Sequence, residues 1–462
     1  MTIKMKALLL CLVFAKLGVC QAINGTWKGN LNLPNKAKLP LVFHIQKIDT
    51  VLAVTMDSPA QNANGLKVDS ASFINNELGI FIKLAQIRYK GTLKGDSIAG
   101  IFTQGSAMLP LILYRGSDTA NQETYKRPQE PKPPFDYNIS DVSFKNSKEG
   151  NLLAGTICTP KNTSDFPIVV MITGSGSQNR NEEILGHKPF LVIADYFAKH
   201  GIGSLRLDDR GVGGSEAGKD GATSADFATD INTAVEYLSK QGFKNIGLLG
   251  HSEGGMIAPM VSSTNKKVKF LVLMAGPGIP IDELMILQNK AVAKTSGMND
   301  KQMDESLKDT KQIFEFIKSY AGNNYRQELK SRMTEILAQS GKYTAEQQTQ
   351  ILDQQLAALS SPWFLYFLKF DPDVYLSKTT VPVLAINGEK DVQVTAKENL
   401  EGIQKSLQKA GNKNFKTLPL PGLNHLFQKA ETGSVAEYAT IEQTIQPEVL
   451  AIMADWIIKL RK

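Results

Sequence analysis

The stretch from Ile246 to Ala258 constrains this chain more than any other. Ile246-Gly247-Leu248-Leu249 is a short apolar run with the character of a buried strand. Gly250-His251-Ser252-Glu253-Gly254-Gly255 follows and continues as a helix. A reversal from strand to helix over one residue forces that residue into a strained backbone. It also brings neighbouring chain so close that a Cβ at Gly250 or Gly254 would clash. Serine stands at the tip, where such a turn lifts its hydroxyl clear of a sheet edge. Gly-x-Ser-x-Gly alone arises by chance, so the remaining chain must supply the groups that a reactive serine needs.

At 462 residues the chain is long enough for more than one domain. Residues 1–22 read as a signal peptide: Lys4 and Lys6 are the basic start, Ala7 to Ala15 the apolar centre, and Cys20-Gln21-Ala22 the small-x-small end. The apolar run is too short for a permanent span, so no stable transmembrane segment is expected after cleavage. This makes the protein exported, periplasmic or extracellular. The alternative is a lipoprotein anchored through Cys20, from the string Leu17-Gly18-Val19-Cys20, against which Val19 argues. Cleavage after Ala22 leaves Cys158 as the one cysteine, which excludes an intrachain disulfide. The charge of +7 includes three lysines of the leader and is too mild to argue for nucleic acid. Five dispersed histidines and one mature cysteine give no metal constellation. No cofactor motif is present either.

Residues 23–117 read as a small all-β domain. Thr26 to Leu31, Leu39 to Ile48, Val51 to Met56 and Ile80 to Leu84 are short stretches separated by turns such as Asn64-Gly65 and Lys94-Gly95-Asp96. Arg88 to Leu93 and Ser97 to Phe102 pattern as a hairpin. This module could bind substrate, form a homodimer or simply pack. Residues 118–137, with Gln129-Glu130-Pro131-Lys132-Pro133-Pro134, read as a stiff Pro-rich linker. From 138 to 462 strands and helices alternate, the sign of a mostly parallel sheet. Its strands are Ile168 to Ile172, Gly203 to Leu207, the run before Ser252, Phe270 to Ala275, Val381 to Ile386 and Phe415 to Leu420. Residues of about 278–375 interrupt this alternation with amphipathic helices, too long an insertion for an ordinary connection, and read as a helical cap. The cap ends in Pro362-Trp363-Phe364-Leu365-Tyr366-Phe367. Trp363, Phe364 and Phe367 are the candidates for a substrate pocket; the competing reading is that they pack the cap onto the body.

Ser252 requires a base. His44 lies in the other domain, His200 ends a helix before the elbow strand, and His187 reads as loop packing. His251 adjoins the serine and is expected to point to the opposite side of the turn. His425, in the loop after the last strand, is the expected base. It needs a carboxylate to fix its tautomer; Asp391, just after the strand ending at Ile386, is the candidate, with Glu389 its nearest rival. The oxyanion that forms on acyl transfer needs backbone donors. The N–H of Glu253 is one; the second comes from Thr173-Gly174-Ser175-Gly176-Ser177-Gln178, with Ser175 the candidate and Gly176 the alternative.

The order Ser252, Asp391, His425, each at a separate strand end, is that of the α/β-hydrolase fold. Here the likeness to a known family becomes specific. Residues from about 138 onward resemble bacterial EstD-type carboxylesterases, close to the serine-aminopeptidase-like (S33) hydrolases. The motifs are Ile172 to Gly176, Gly186-His187-Lys188-Pro189-Phe190, Leu207 to Ser215, Gly250 to Gly255, Gly388 to Asp391 and Asn424-His425. The resemblance implies an N-terminal β-domain and ester hydrolysis of small acyl esters through Ser252, Asp391 and His425. One departure is visible: after Gln178 the family shows Asp-Arg-Asp-Glu, and this chain has Asn179-Arg180-Asn181-Glu182. The sequence leaves peptide or amide hydrolysis and acyl transfer open with the same three residues. A non-catalytic exported ligand-binding protein is the alternative of another class.

Overall fold

The computed structural model describes residues 23–32, 38–48, 51–59, 63–82, 87–104, 107–116, 126–161, 163–295, 298–341 and 344–460. The expected signal peptide, with Cys20, lies outside them. No helix among the described residues is long and apolar enough to cross a membrane. The chain forms two compact units, Met1–Ala120 and Asn121–Lys462.

The first unit is a nine-stranded antiparallel sheet of β1 (Gly25–Asn32), β2 (Lys38–Ile48), β3 (Val51–Ser58), β4 (Ala63–Lys67), β5 (Ser70–Ile74), β6 (Glu77–Ile82), β7 (Ile87–Lys94), β8 (Ser97–Gln104) and β9 (Ala107–Arg115). The order β4-β3-β2-β1-β9-β8-β7-β6-β5 is a meander rejoined by the pairing of β1 with β9. Strict alternation drives it. In β7 Ile87, Tyr89 and Leu93 are buried while Arg88, Lys90, Thr92 and Lys94 face out. Trp27, Phe43 and Tyr89 fill the interior. The indole N–H of Trp27 donates to the carbonyl of Ile23 at 2.8 Å, and Arg115 lies 4.3 Å from the ring centroid.

The second unit has an eight-stranded sheet ordered β10-β11-β13-β12-β14-β15-β16-β17. β10 (Tyr137–Lys145) and β11 (Leu152–Pro160) are antiparallel. β12 (Ile168–Ile172), β13 (Gly203–Leu207), β14 (Ile246–His251), β15 (Val268–Met274), β16 (Val383–Gly388) and β17 (Phe415–Leu420) run parallel. β12 is wholly apolar because both of its faces are covered. Ile168, Val170 and Ile172 pack with α2 (Ser224–Lys240), α3 (Glu253–Ser262) and α10 (Ala396–Lys409), named here in their place along the chain. Val169 and Met171 pack with α1 (Pro189–Lys199) and α11 (Pro447–Lys459). α2 starts where it does because Thr223 and Asp226 form a capping box.

The cap comprises α4 (Ile281–Thr295), α5 (Asp300–Ser319), α6 (Tyr325–Ser340), α7 (Ala345–Leu359), α8 (Pro362–Leu368) and α9 (Asp373–Leu376). It has a core of its own around Phe314, Ile317, Leu329 and Met333. Ile281, Leu284, Phe367 and Leu376 join the body's core instead and anchor both ends of the insertion.

The Pro-rich stretch is hydrogen-bonded along the α/β unit. Arg127 donates to the carbonyls of Leu185, Ala439 and Ile441, each at 2.9 Å. Gln129 donates to Ile445 O at 2.7 Å, and its carbonyl accepts from the amides of Thr444 and Ile445.

Candidate active site

The turn after β14 is built as its glycines demand. A Cβ on Gly250 would sit 2.0 Å from Gly254 O, and one on Gly254 would sit 2.2 Å from Ile172 O. Ser252 takes φ 53° and ψ −118°, a conformation costly for a residue with a side chain. Its amide donates to Met274 O at 2.9 Å and its carbonyl accepts from Gly255 N at 2.9 Å, so the strain is held from both sides.

His425 lies in the loop after β17, 4 % exposed. Its Nδ1 meets Asp391 Oδ2 at 2.7 Å. The other oxygen, Oδ1, accepts from the amides of Gln393 at 2.8 Å and Val394 at 2.9 Å. An acceptor on Nδ1 places the ring's proton there and leaves Nε2 as the basic nitrogen. Among the described residues no hydrogen bond runs from Ser252 Oγ to His425, whose Nδ1 is engaged by Asp391. Glu389, the alternative acid, follows β16; its amide donates to Leu420 O.

The loop after β12 lies against the elbow, where a Cβ on Gly174 would be 3.2 Å from Ser252 Cβ. The amide of Gly174 is already committed, donating to Glu182 Oε1 at 2.8 Å. Those of Ser175 and Gly176 are used by no hydrogen bond among the described residues. The Glu253 amide opens α3, where N–H groups have no intrahelical acceptor. These are the donors that could face one developing negative oxygen.

Charged side chains hold this loop from below. Arg180 grips Asp208 with two nitrogens, at 3.1 and 2.6 Å, and reaches Asp141 at 3.0 Å. Asp209 accepts from Thr173 Oγ1 at 2.8 Å and from Gln178 N at 2.9 Å. Burial, with Glu182 and Glu253 nearby, pushes its pKa up to about 7 despite these two bonds. Arg210 pairs with Glu149 and Asp230 instead. Asn181 accepts from Arg206, a buried guanidinium that pairs with no carboxylate among the described residues. His187 is fully buried between Thr444 Oγ1 and Tyr438 O, and burial pushes its pKa down to about 4.

Two residues of the site were not legible beforehand. His251, adjoining the serine, reaches under His425: its Nε2 donates to the His425 carbonyl at 3.0 Å, and the ring centroids are 4.7 Å apart. Glu182, 2 % exposed, meets its Nδ1 at 2.9 Å. Of the aromatic candidates, Trp363 donates its indole N–H to Glu253 Oε1 at 3.0 Å and stacks on Phe367 at 4.9 Å. Phe367 is buried in the body's core, and Phe364 packs on the cap's. Among the described residues no group of three His, Cys, Asp or Glu is placed to hold a metal, and Cys158 is a free, buried thiol.

A parallel sheet with a serine at the turn after β14, an acid after β16 and a histidine after β17 defines an α/β-hydrolase fold. The family model of serine aminopeptidases (S33) matches residues 188–429, just over half of the chain. The chain belongs to this family. It is 25 % identical to esterase EstD of Thermotoga maritima over 310 residues, 67 % of this chain and 66 % of that protein. The chain thus spans just under two thirds of that relative's length. Similar solved structures include the Pyrococcus furiosus esterase Pf2001, at 16 % identity and TM-score 0.41, covering 70 % of this chain and 91 % of that one. Proline iminopeptidase of Mycobacterium smegmatis is similar at 14 % identity and TM-score 0.44, covering 69 % and 98 %.

Proposed function

We propose that this protein is an exported serine esterase that cleaves small carboxylic esters through an acyl-enzyme. Export rests on the leader read from residues 1–22, with lipidation at Cys20 as its alternative. The observation that carries the chemistry is the 2.7 Å bond from His425 Nδ1 to Asp391, which leaves Nε2 free as the base that the strained Ser252 requires. Ser252 Oγ attacks the ester carbonyl while His425 Nε2 takes its proton. Asp391 stabilises the imidazolium, and the amides of Glu253 and Ser175, with Gly176 as the alternative, hold the oxyanion. The tetrahedral intermediate collapses, and the alkoxide leaves with the proton from His425. Water, deprotonated by His425, then attacks the acyl-enzyme and regenerates Ser252. The aromatic end of the cap, with Trp363 nearest the elbow, selects the acyl or alcohol group. The name of the Thermotoga relative supports ester hydrolysis.

Ser252→Ala is expected to abolish hydrolysis of short-chain p-nitrophenyl esters while leaving the thermal transition in place; full activity in that variant would sink the reading. The family description favours one second reading, cleavage of amide or peptide bonds by the same residues. Turnover of a matched ester and anilide decides between them, the ester being expected to react faster.

A further inference from the structure

The chemistry above leaves Glu182 and His251 unused, although both are buried against the residues that perform it. Glu182 sits in the loop after β12 with φ 52°, a left-handed conformation that a residue with a Cβ adopts only when its surroundings impose it. Its Oε1 accepts from Gly174 N at 2.8 Å and meets His251 Nδ1 at 2.9 Å. His251 Nε2 in turn meets the His425 carbonyl at 3.0 Å. A carbonyl has no proton to give, so Nε2 carries a hydrogen. Oε1 already accepts from Gly174, so Nδ1 is the donor there as well. With a hydrogen on each nitrogen the ring is an imidazolium, and its partner a carboxylate. Burial opposes a charged ring, but the charge and hydrogen bond of Glu182, the His425 carbonyl and Asp391 outweigh it and raise the pKa above the ordinary value.

We infer that Glu182 and His251 are positioning residues: a buried carboxylate–imidazolium pair that locks the oxyanion loop, the nucleophile turn and the backbone of His425 together. The inference rests on the serine-esterase reading. Three loops, after β12, β14 and β17, must deliver an oxyanion donor, a nucleophile and a base to one point within about 0.5 Å. Among the described residues no main-chain hydrogen bond joins these three loops to one another. Glu182 fixes the Gly174 amide, and with it the backbone that leads into Ser175 and Gly176. His251 is covalently next to Ser252 and holds the peptide plane of His425, which sets the direction of that side chain. His251 packs on the His425 ring, but among the described residues neither member of the pair hydrogen-bonds Ser252 Oγ or His425 Nε2. The pair acts by holding the groups that react.

The test uses the full chain. In wild type labelled with 15N-histidine, one ring should show both nitrogens protonated at pH 7.5, and this signal should vanish in Glu182→Gln and in His251→Gln. Both variants should lower kcat on a short-chain p-nitrophenyl ester by about 10–100-fold with KM within about twofold, since loss of alignment costs the transition state and not ground-state binding. Glu182→Asp, which keeps the charge, should recover part of kcat. A wild type whose rings are all neutral overturns the inference, and so do folded glutamine variants with kcat within about twofold of wild type. Should a glutamine variant fail to fold, the wild-type spectrum and Glu182→Asp still decide. A fluorophosphonate probe on wild type separates the two failures. Label on Ser252 with fast variants removes only the positioning role, whereas no label removes the esterase reading and the role with it.

Discussion

The two units handle polarity in opposite ways. Among the described residues of the β-unit, Ser58 is the one polar side chain that is buried; Trp27, Phe43, Tyr89 and aliphatic neighbours do the rest. The α/β unit buries Glu182, His187, Arg206, Asp208, Asp230, His251, Glu253, Asp391 and His425. Most of these cluster beyond the C-terminal ends of the parallel strands, where the loops carry the proposed catalytic groups. An apolar interior gives stability at little cost, since nothing charged has to be desolvated. Buried charges need partners for every lone pair and proton, and they return orientation instead. The difference teaches where chemistry is concentrated: a unit that pays for buried ionisable groups is using them.

The comparison can be broken in several places. The largest effect is expected from Asp391→Asn, which keeps the shape but removes the charge that fixes the His425 tautomer. By analogy with other triads kcat should fall by about 10^4-fold, read in steady-state ester hydrolysis. Trp27→Ala should do the reverse: emptying a fully buried site costs the β-unit about 3–5 kcal/mol. Calorimetry should show its transition lowered, with ester turnover per labelled Ser252 unchanged.

A subtler effect is expected from Asp209. Its folded pKa of about 7 lies above the unfolded value. The stability it contributes is therefore complete below the unfolded pKa and lost as pH rises through about 7. Urea midpoints of the α/β unit should fall from pH 5 to pH 7.5, and Asp209→Asn should flatten that slope; an unchanged slope would refute the assignment. The smallest effect belongs to Asn181→Asp. The added carboxylate meets a guanidinium already buried at Arg206, and the gain should be on the order of 1 kcal/mol, seen as a rise in Tm.

What the sequence made legible follows from how local each signal is. Ser252, Asp391 and His425 each follow an apolar strand, and a strand end with its loop is a short pattern. Wholly apolar β12 and the apolar run Phe270 to Met274 of β15 announced a sheet covered on both faces, and alternation announced β7 and β8. Glu182 was illegible for the opposite reason. Its partner His251 stands 69 residues away, and its own surroundings, Asn179-Arg180-Asn181-Glu182-Glu183, are those of a solvated loop. Nothing in a polar string says that one of its charges turns inward. For His251 the turn alone sets the side chain apart from Ser252 Oγ, but its contact with the His425 backbone depends on a loop 174 residues later. The one available signal was the pairing itself, a histidine beside the nucleophile and an acid in the oxyanion loop.

The strap formed by Arg127 and Gln129 bears on how the molecule can be cut. Apart from the bonds of Arg127 to the carbonyls of Leu185 and Gly186, its hydrogen bonds end on residues 439–445. That segment adjoins Tyr438, whose hydroxyl accepts from Gln393, two residues beyond Asp391. A fragment begun at β10 would keep Ser252, Asp391 and His425, the proposed triad, and still lose this tether. A fragment begun at Lys126 would retain it, so the eleven residues from Lys126 to Asp136, which look like a spacer, decide whether the hydrolase can be separated intact from its companion.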